Sequence, residues 1–212
     1  MNRAEHSETA QDGTLLDVDR LVFFTDGVFA ITLTLLVLDL KLPSDALRTV
    51  PQSLVELAPR FAIYLFAFAT IANQWAIHHR TFRFVRHANA NLVILSLVNL
   101  LFITLIPASA ALVGSYPFEP LAAACFGINS LLLCASAAAV WTYVAANGHL
   151  LAADTDTRIL TGMAVVWILV CLGFAVGLLL GFFSVYAEYA AWVFWSPVVS
   201  IWWTRRRRQL GS

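Results

Sequence analysis

The segment RLVFFTDGVFAITLTLLVLDL, residues 20–40, is a long apolar run interrupted by polar side chains that an inert membrane anchor does not need. Arg20, Thr25 and Asp26 lie near its start, and Thr32 and Thr34 lie in its middle. A carboxylate at membrane depth is costly and usually has a partner or a function. A lone threonine, in contrast, most often bonds back to a carbonyl of its own helix. The combination is typical of a helix that lines a path for something polar.

Polar side chains of two other segments reach the depth of Asp26. A second helix running the opposite way brings Trp75, His78 and His79 to that level, and a third reaches Asn99 about one-third of the way in. A buried network that fixes the first helix is therefore favoured over a proton path through these groups.

The elements that position these residues are membrane-spanning helices. The chain is 60% hydrophobic and 12% charged, with a mean hydropathy of +0.77, whereas a soluble domain carries about 25% charged residues. A span needs about 20 apolar residues. Six stretches qualify, at about 21–42, 56–78, 90–113, 121–146, 159–183 and 187–203. We predict an all-α integral membrane fold with six transmembrane helices per subunit.

The distribution of basic residues predicts the orientation. Ten of the 13 arginines and lysines fall on the side of the two termini and three on the other side, so both termini are expected in the cytoplasm. This divides the chain into an N-terminal tail at 1–19, a six-helix domain at 20–204 and a basic C-terminal tail at 205–212. The four arginines at 205–208 follow Trp202 and Trp203, which is typical of a membrane anchor and not of a nucleic-acid site.

The first helix has one apolar stripe. With about 100° per residue, the residues within about 60° of Ile31 are Phe24, Gly27, Val28, Thr34, Leu35, Leu38 and Leu42. Thr25 and Asp26 fall beyond about 100°, on the far side. One face is thus aliphatic with a single hydroxyl, and the opposite face carries the carboxylate.

Other functional classes have less support. No GxSxG, HExxH or paired-aspartate motif occurs at membrane depth, and the adjacent His78 and His79 point to different faces, so we expect neither an enzyme nor a metal site. The three cysteines lie in apolar runs and predict no disulfide.

A secondary transporter stays open as an alternative, although Pro107 and Pro197 do not occupy equivalent places of two halves. The small-residue runs and the GxxxG at Gly173–Gly177 predict close helix packing.

These segments resemble the transmembrane protein 175 family of potassium channels. The family hallmark Arg-x-x-x-Phe-Ser-Asp is similar to Arg20, Phe24, Thr25 and Asp26, with threonine in place of serine. WAIHHR at 75–80 resembles the family's Trp-x-x-His segment, and NLLFITLIP at 99–107 resembles its third helix. The resemblance covers about residues 20–107.

The resemblance implies a potassium-permeable channel, prokaryotic and single-repeat, that assembles as a homotetramer in the lipid bilayer. It implies a pore lined by the first helix of each subunit, without a TVGYG filter and without a cofactor other than permeant K⁺. It places the constriction at Ile31, Leu35 and Leu38 and a selectivity layer at Thr34, all on the stripe described above. The residues expected to hold the pore helix are Arg20, Phe24, Thr25, Asp26, Trp75, His78 and Asn99.

The expected function is passive conduction with modest K⁺ over Na⁺ selectivity across the plasma (inner) membrane of a prokaryote. Secondary transport and proton permeation are the alternatives. Asp39 lies near the extracellular end of the first helix, where a carboxylate concentrates cations at a pore mouth. An equally weighted interpretation makes it a solvated residue beside Lys41.

Overall fold

The computed structural model describes residues 17–40, 50–152 and 157–210, and this part of the chain is helical. The α-helices are α1 at Val18–Leu35, α2 at Val50–Phe82, α3 at Ala90–Thr104, α4 at Ile106–Ser115, α5 at Pro120–Ala146, α6 at Thr157–Gly181 and α7 at Val185–Leu210. A short 3-10 helix, Leu36–Asp39, continues α1, and another at Gly148–Leu150 follows α5.

Five elements are long and apolar enough to cross a membrane. They are Val18–Asp39, Ser53–Phe82, Ala90–Ser115, Pro120–Ala146 and Thr161–Gly181, which match the first five predicted spans. The sixth predicted span, 187–203, lies inside α7 and is not among them, so its crossing stays a prediction. Residues 1–16 of the N-terminal tail, Lys41 and Leu42 lie outside the described residues, as do Arg48 and residues 211–212.

The start of α1 is fixed by a local cap. The side chain of Asp17 accepts a hydrogen bond from the backbone N–H of Asp19 at 3.0 Å. Such a cap supplies an acceptor to an N–H group that the first helical turn leaves without a partner. The two carboxylates also lie at the positive end of the helix dipole, which stabilises them there. The cap therefore sets the first residue of α1.

The third span is broken into α3 and α4 near Leu105. Pro107 occupies the first turn of α4, and because it has no N–H it cannot bond to the carbonyl of Ile103. The amide of Asn129, on α5, covers the break by donating to the carbonyl of Phe102 at 3.3 Å and to the hydroxyl of Ser109 at 3.4 Å. A side chain of another helix thus contacts the backbone of α3 and the side chain of Ser109 on α4, on both sides of the break.

The last two helices pack through glycines, which confirms the predicted close packing. A methyl group added at Gly173 or Gly177 would overlap the rings of Trp195 and Trp192, respectively. From α5, a methyl group added at Gly127 would lie 2.5 Å from Trp192 Cζ2. The glycines therefore leave room for these large rings to pack against α5 and α6, and the ring of Trp192 is buried there.

Two links on one side of the helices are joined by backbone hydrogen bonds. Val85 and Leu151 form an isolated antiparallel bridge. The N–H of Arg86 donates to the carbonyl of Leu150 at 2.8 Å, and that of Ala152 donates to Phe84 at 3.0 Å. The link after α2 and the link after α5 consequently lie at the same end of the bundle.

Candidate functional site

The helix α1 divides into a docked face and an open face. Its buried residues are Leu21, Thr25, Phe29 and Thr32, with Leu36 following in the 3-10 helix. On the opposite face Ile31 is 61% exposed, Leu35 44% and Leu38 59%. Phe24, Gly27 and Thr34 are exposed along the same stripe. In a membrane-spanning chain, an aliphatic stripe that its own subunit leaves open faces either lipid or another chain.

The side chains of the stripe lie at successive heights along the axis of α1. Ile31 and Leu35 are four residues apart, which is about 6 Å along an α-helix. Thr34 lies one residue before Leu35, and its hydroxyl donates to the carbonyl of Ile31 at 2.7 Å. Because the hydroxyl proton is used in this bond, the oxygen has lone pairs left to accept a further contact.

The two buried threonines of α1 are satisfied within the helix. Thr25 donates to the carbonyl of Val22 at 2.8 Å, and Thr32 donates to that of Val28 at 2.7 Å. Both side chains are almost completely inaccessible. Both threonines can therefore pack against the rest of the subunit without leaving a buried hydroxyl unpaired.

Asp26 is held by Trp75 of α2. The indole Nε1 of Trp75 donates to Asp26 Oδ1 at 2.9 Å. Asp26 lies five residues before Ile31, which places it about 140° around the helix from the stripe. A hydrogen bond to a carboxylate is among the stronger ones in proteins, so this contact fixes both the depth and the rotation of α1 against α2.

Aromatic rings complete the contact between these two helices. The His78 ring stacks on Phe82 with a centroid distance of 4.4 Å and lies 5.7 Å from the ring of Phe29 on α1. Trp75 in turn stacks on His79 at 5.6 Å. The structure thus brings Asp26, Trp75 and His78 to one contact, although neither ring nitrogen of His78 has a hydrogen-bond partner.

Arg20 and Asn99 lie apart from this contact. Arg20 is exposed and, with Phe23, Gly27 and Ile31, lines an open groove beside the first half of α1. The amide of Asn99 points to α5 and donates to the hydroxyl of Ser136 at 2.9 Å. In the subunit, Asn99 therefore joins α3 to α5 and does not contact Asp26.

Two further asparagines position the helices, and neither contacts Asp26. Asn89 caps α3 by accepting the N–H of Leu92 at 3.0 Å, and it donates to the hydroxyl of Tyr143 at 2.9 Å. Asn129 covers the break in the third span. The sequence signal for such residues is a short polar side chain within an apolar run, because a polar group in a membrane must find a hydrogen-bond partner.

The far end of α1 opens into a small cavity of about 190 Å³. Asp39 and Arg60 both line it, with Tyr64 and Gly114. Arg60 donates through Nε to the carbonyl of Gly114 at 3.3 Å. The cavity lining therefore includes one carboxylate and one guanidinium. In the described part of the chain, no group of three or more His, Cys, Asp or Glu side chains is placed to hold a metal ion.

Comparison with known proteins gives a consistent set of similarities. Residues 20–107 match the family described as the endosomal/lysosomal potassium channel TMEM175. A potassium channel of Streptomyces collinus is 29% identical over 170 residues, covering 78% of this chain and 82% of that protein. A potassium channel of Chamaesiphon minutus is 32% identical over 146 residues, covering 66% of this chain and 72% of that protein.

The fold is similar to a solved channel structure. A crystal structure described as a lysosomal potassium-selective channel TMEM175 homolog from Chamaesiphon minutus superposes with a TM-score of 0.75 and 25% sequence identity. The match covers 89% of this chain and 97% of that one. The similarity thus extends well beyond the segment that carries the sequence motifs.

Proposed function

The chain belongs to the TMEM175 family, and from that premise we propose that it forms a potassium-permeable channel through which ions move passively down their gradient. Two bacterial relatives are named potassium channels, and the superposable structure is described as potassium-selective. These relatives are ion channels, and no enzymatic step is part of the proposal.

The observation that carries the proposal is the open aliphatic stripe of α1. Four copies of the chain around one axis would bring four copies of Ile31, Leu35 and Leu38 together as stacked apolar rings. Narrow apolar rings restrict ions because water leaves them readily. The same assembly would cover side chains that a single subunit exposes. We therefore place the constriction at these residues and the homotetramer axis along α1.

Thr34 supplies the polar layer of the proposed pore. A ring of four hydroxyl oxygens would replace part of the hydration shell of an ion without adding a fixed charge. The bond from Thr34 to the carbonyl of Ile31 leaves those oxygens free to act as ligands. Since few oxygens would meet at this level, we expect a modest preference for K⁺ over Na⁺.

The contacts behind α1 give the pore helix a fixed position. The bond between Trp75 and Asp26 and the packing of His78 against Phe29 act on the face opposite to Ile31. A pore wall needs such support because small rotations of α1 would replace Ile31 by its neighbours. Phe24 and Arg20, which are exposed at the start of α1, are proposed to complete the support between subunits.

We place the channel in the plasma membrane of a prokaryote with both termini in the cytoplasm. The excess of arginine on the side of the termini supports this orientation. The bridge between the link after α2 and the link after α5 agrees with the proposed topology, which puts both links on one side of the membrane, but the side itself follows only from the arginines. The sixth span is proposed to be the first part of α7.

The proposed function is tested by ion flux in liposomes. Purified protein is reconstituted and exposed to a potassium gradient, with sodium and caesium gradients as comparisons. Gradient-driven K⁺ flux that exceeds Na⁺ flux is the expected result. An absence of passive flux, or a flux that requires exchange with a second solute, would replace the channel by a transporter.

A further inference from the structure

A small cavity lies where α2, α3, α5 and α6 meet. It offers about 20 Å³ to a water molecule and lies within one subunit. Its polar lining includes Gln74, His78, Thr81, Ser96, Asn99 and Trp167. A cavity of about 10–15 Å³ by the same measure is enough for one water molecule when two to four polar groups surround it. Both the size and the lining meet this condition.

Two side chains of the lining have nitrogen atoms without partners. Trp167 is 4% exposed, and its indole Nε1 is buried without a hydrogen bond. Both ring nitrogens of His78 are buried and unpartnered as well. Buried donors and acceptors in proteins are satisfied in the great majority of cases by protein atoms or by ordered water. Both groups line one polar cavity that is large enough for a water molecule.

We propose that this cavity binds one ordered water molecule that joins the indole of Trp167 to the imidazole of His78. The water accepts a hydrogen bond from Trp167 Nε1 and exchanges a second one with a nitrogen of His78. Neutral histidine has one donor and one acceptor nitrogen, so either tautomer provides a partner for the water.

The hydroxyl groups of the lining provide the remaining acceptors. Ser96 donates to the carbonyl of Leu92, and Thr81 donates to that of Ile77, each at 2.8 Å. Their protons are thus engaged, but their oxygens retain lone pairs for a hydrogen bond from water. The site is therefore built for a small neutral molecule that both donates and accepts hydrogen bonds.

The site connects α6 to the helix that supports α1. His78 lies one turn after Trp75 on α2, and Trp75 holds Asp26. The water links the same turn of α2 to Trp167, on the far side of the subunit core. The site depends only on contacts within a subunit, and its existence does not rest on the proposed channel function.

The proposal is tested by magnetic resonance of the indole N–H groups. The reconstituted protein is labelled with ¹⁵N at tryptophan, and magnetisation transfer from water to each indole proton is measured. Trp167→Phe assigns the Trp167 signal by its loss. The indole of Trp195 serves as the reference for surface water, because it is 39% exposed and donates to the carbonyl of Leu169 at 2.7 Å.

The expected result is a contact between a slowly exchanging water and Trp167 that Trp195 does not show. Ala137 lines the cavity, and Ala137→Val fills it, so the contact should be lost in that variant. No contact in the native protein, or an equal contact in Ala137→Val, would overturn the proposal.

A density map of the native assembly provides a second measurement that needs no variant. It should show a peak within hydrogen-bond distance of both Trp167 Nε1 and a nitrogen of His78. A direct bond between the two side chains, or an empty cavity, would exclude the site. Neither measurement requires ion flux, so the outcome is separate from that of the channel assay.

Discussion

The indole Nε1 of Trp75 lies 2.9 Å from Asp26 Oδ1 and donates a hydrogen bond to it. The bond joins α2 to the face of α1 that lies opposite to the open aliphatic stripe. A polar contact is thus placed behind the proposed pore wall and not inside it. This relationship separates residues that hold the helix from those that we propose meet the ion.

We expect Asp26→Ala to impair assembly more than permeation. Loss of a hydrogen bond to a charged group reduces stability by about 1.5–3 kcal/mol, and it also leaves the indole N–H of Trp75 without its partner. The tetramer fraction in size-exclusion chromatography and the thermal unfolding temperature of the purified protein measure the effect.

Two further variants test whether the hydrogen bond is the cause. Trp75→Phe removes the donor and keeps an aromatic ring, so it should reproduce most of the loss. Asp19→Ala removes an exposed carboxylate of the same helix and should have little effect. A well-formed Asp26→Ala tetramer with altered ion selectivity would contradict the structural role.

We expect Gly177→Ala to destabilise the contact between α6 and α7. The added methyl group would overlap Trp192, which is buried and cannot move aside easily. Overpacking of this kind typically costs about 1–3 kcal/mol. Thermal unfolding in detergent measures the change, with Gly148→Ala as the control because no atom lies within 4 Å of the methyl group added there. Equal unfolding temperatures for the two variants would show that the ring repacks freely.

The helices and the open stripe of α1 could be predicted from the sequence because both depend on local patterns. Apolar runs of membrane length locate the helices, and a period of about 3.6 residues separates Ile31 and Leu35 from Thr25. These patterns do not require knowledge of which helices are neighbours. The first five predicted spans consequently agree with the structure.

The partners of the polar residues could not be predicted in the same way. Asn99 and Asp26 lie at compatible depths, yet Asn99 bonds to Ser136 of α5. Depth follows from position along a helix, whereas the choice of partner depends on how each helix is rotated. Asn129 illustrates the same limit, because its role depends on the break near Leu105 in another helix.

We expect Thr34→Val to reduce discrimination between K⁺ and Na⁺. Valine has nearly the shape of threonine but lacks the oxygen that would contact a partly dehydrated ion. Thr34→Ser keeps the hydroxyl and should retain the preference. The ratio of K⁺ to Na⁺ permeability from reversal potentials in reconstituted bilayers measures both variants. An unchanged ratio in Thr34→Val would assign selectivity to another level of the pore.

The most direct test of the pore wall is the K⁺ flux of Ile31→Asn in liposomes, compared with Ile94→Asn. Ile94, on α3, is 57% exposed in the subunit, close to the 61% of Ile31, but lies outside the stripe. Asparagine at position 31 should hydrate the constriction. A barrier lower by about 1.4 kcal/mol raises the flux about tenfold, and discrimination among K⁺, Na⁺ and Cs⁺ should weaken. Ile94→Asn should leave both quantities unchanged. Native flux and native selectivity in a folded Ile31→Asn tetramer would contradict the assignment of this stripe to the pore.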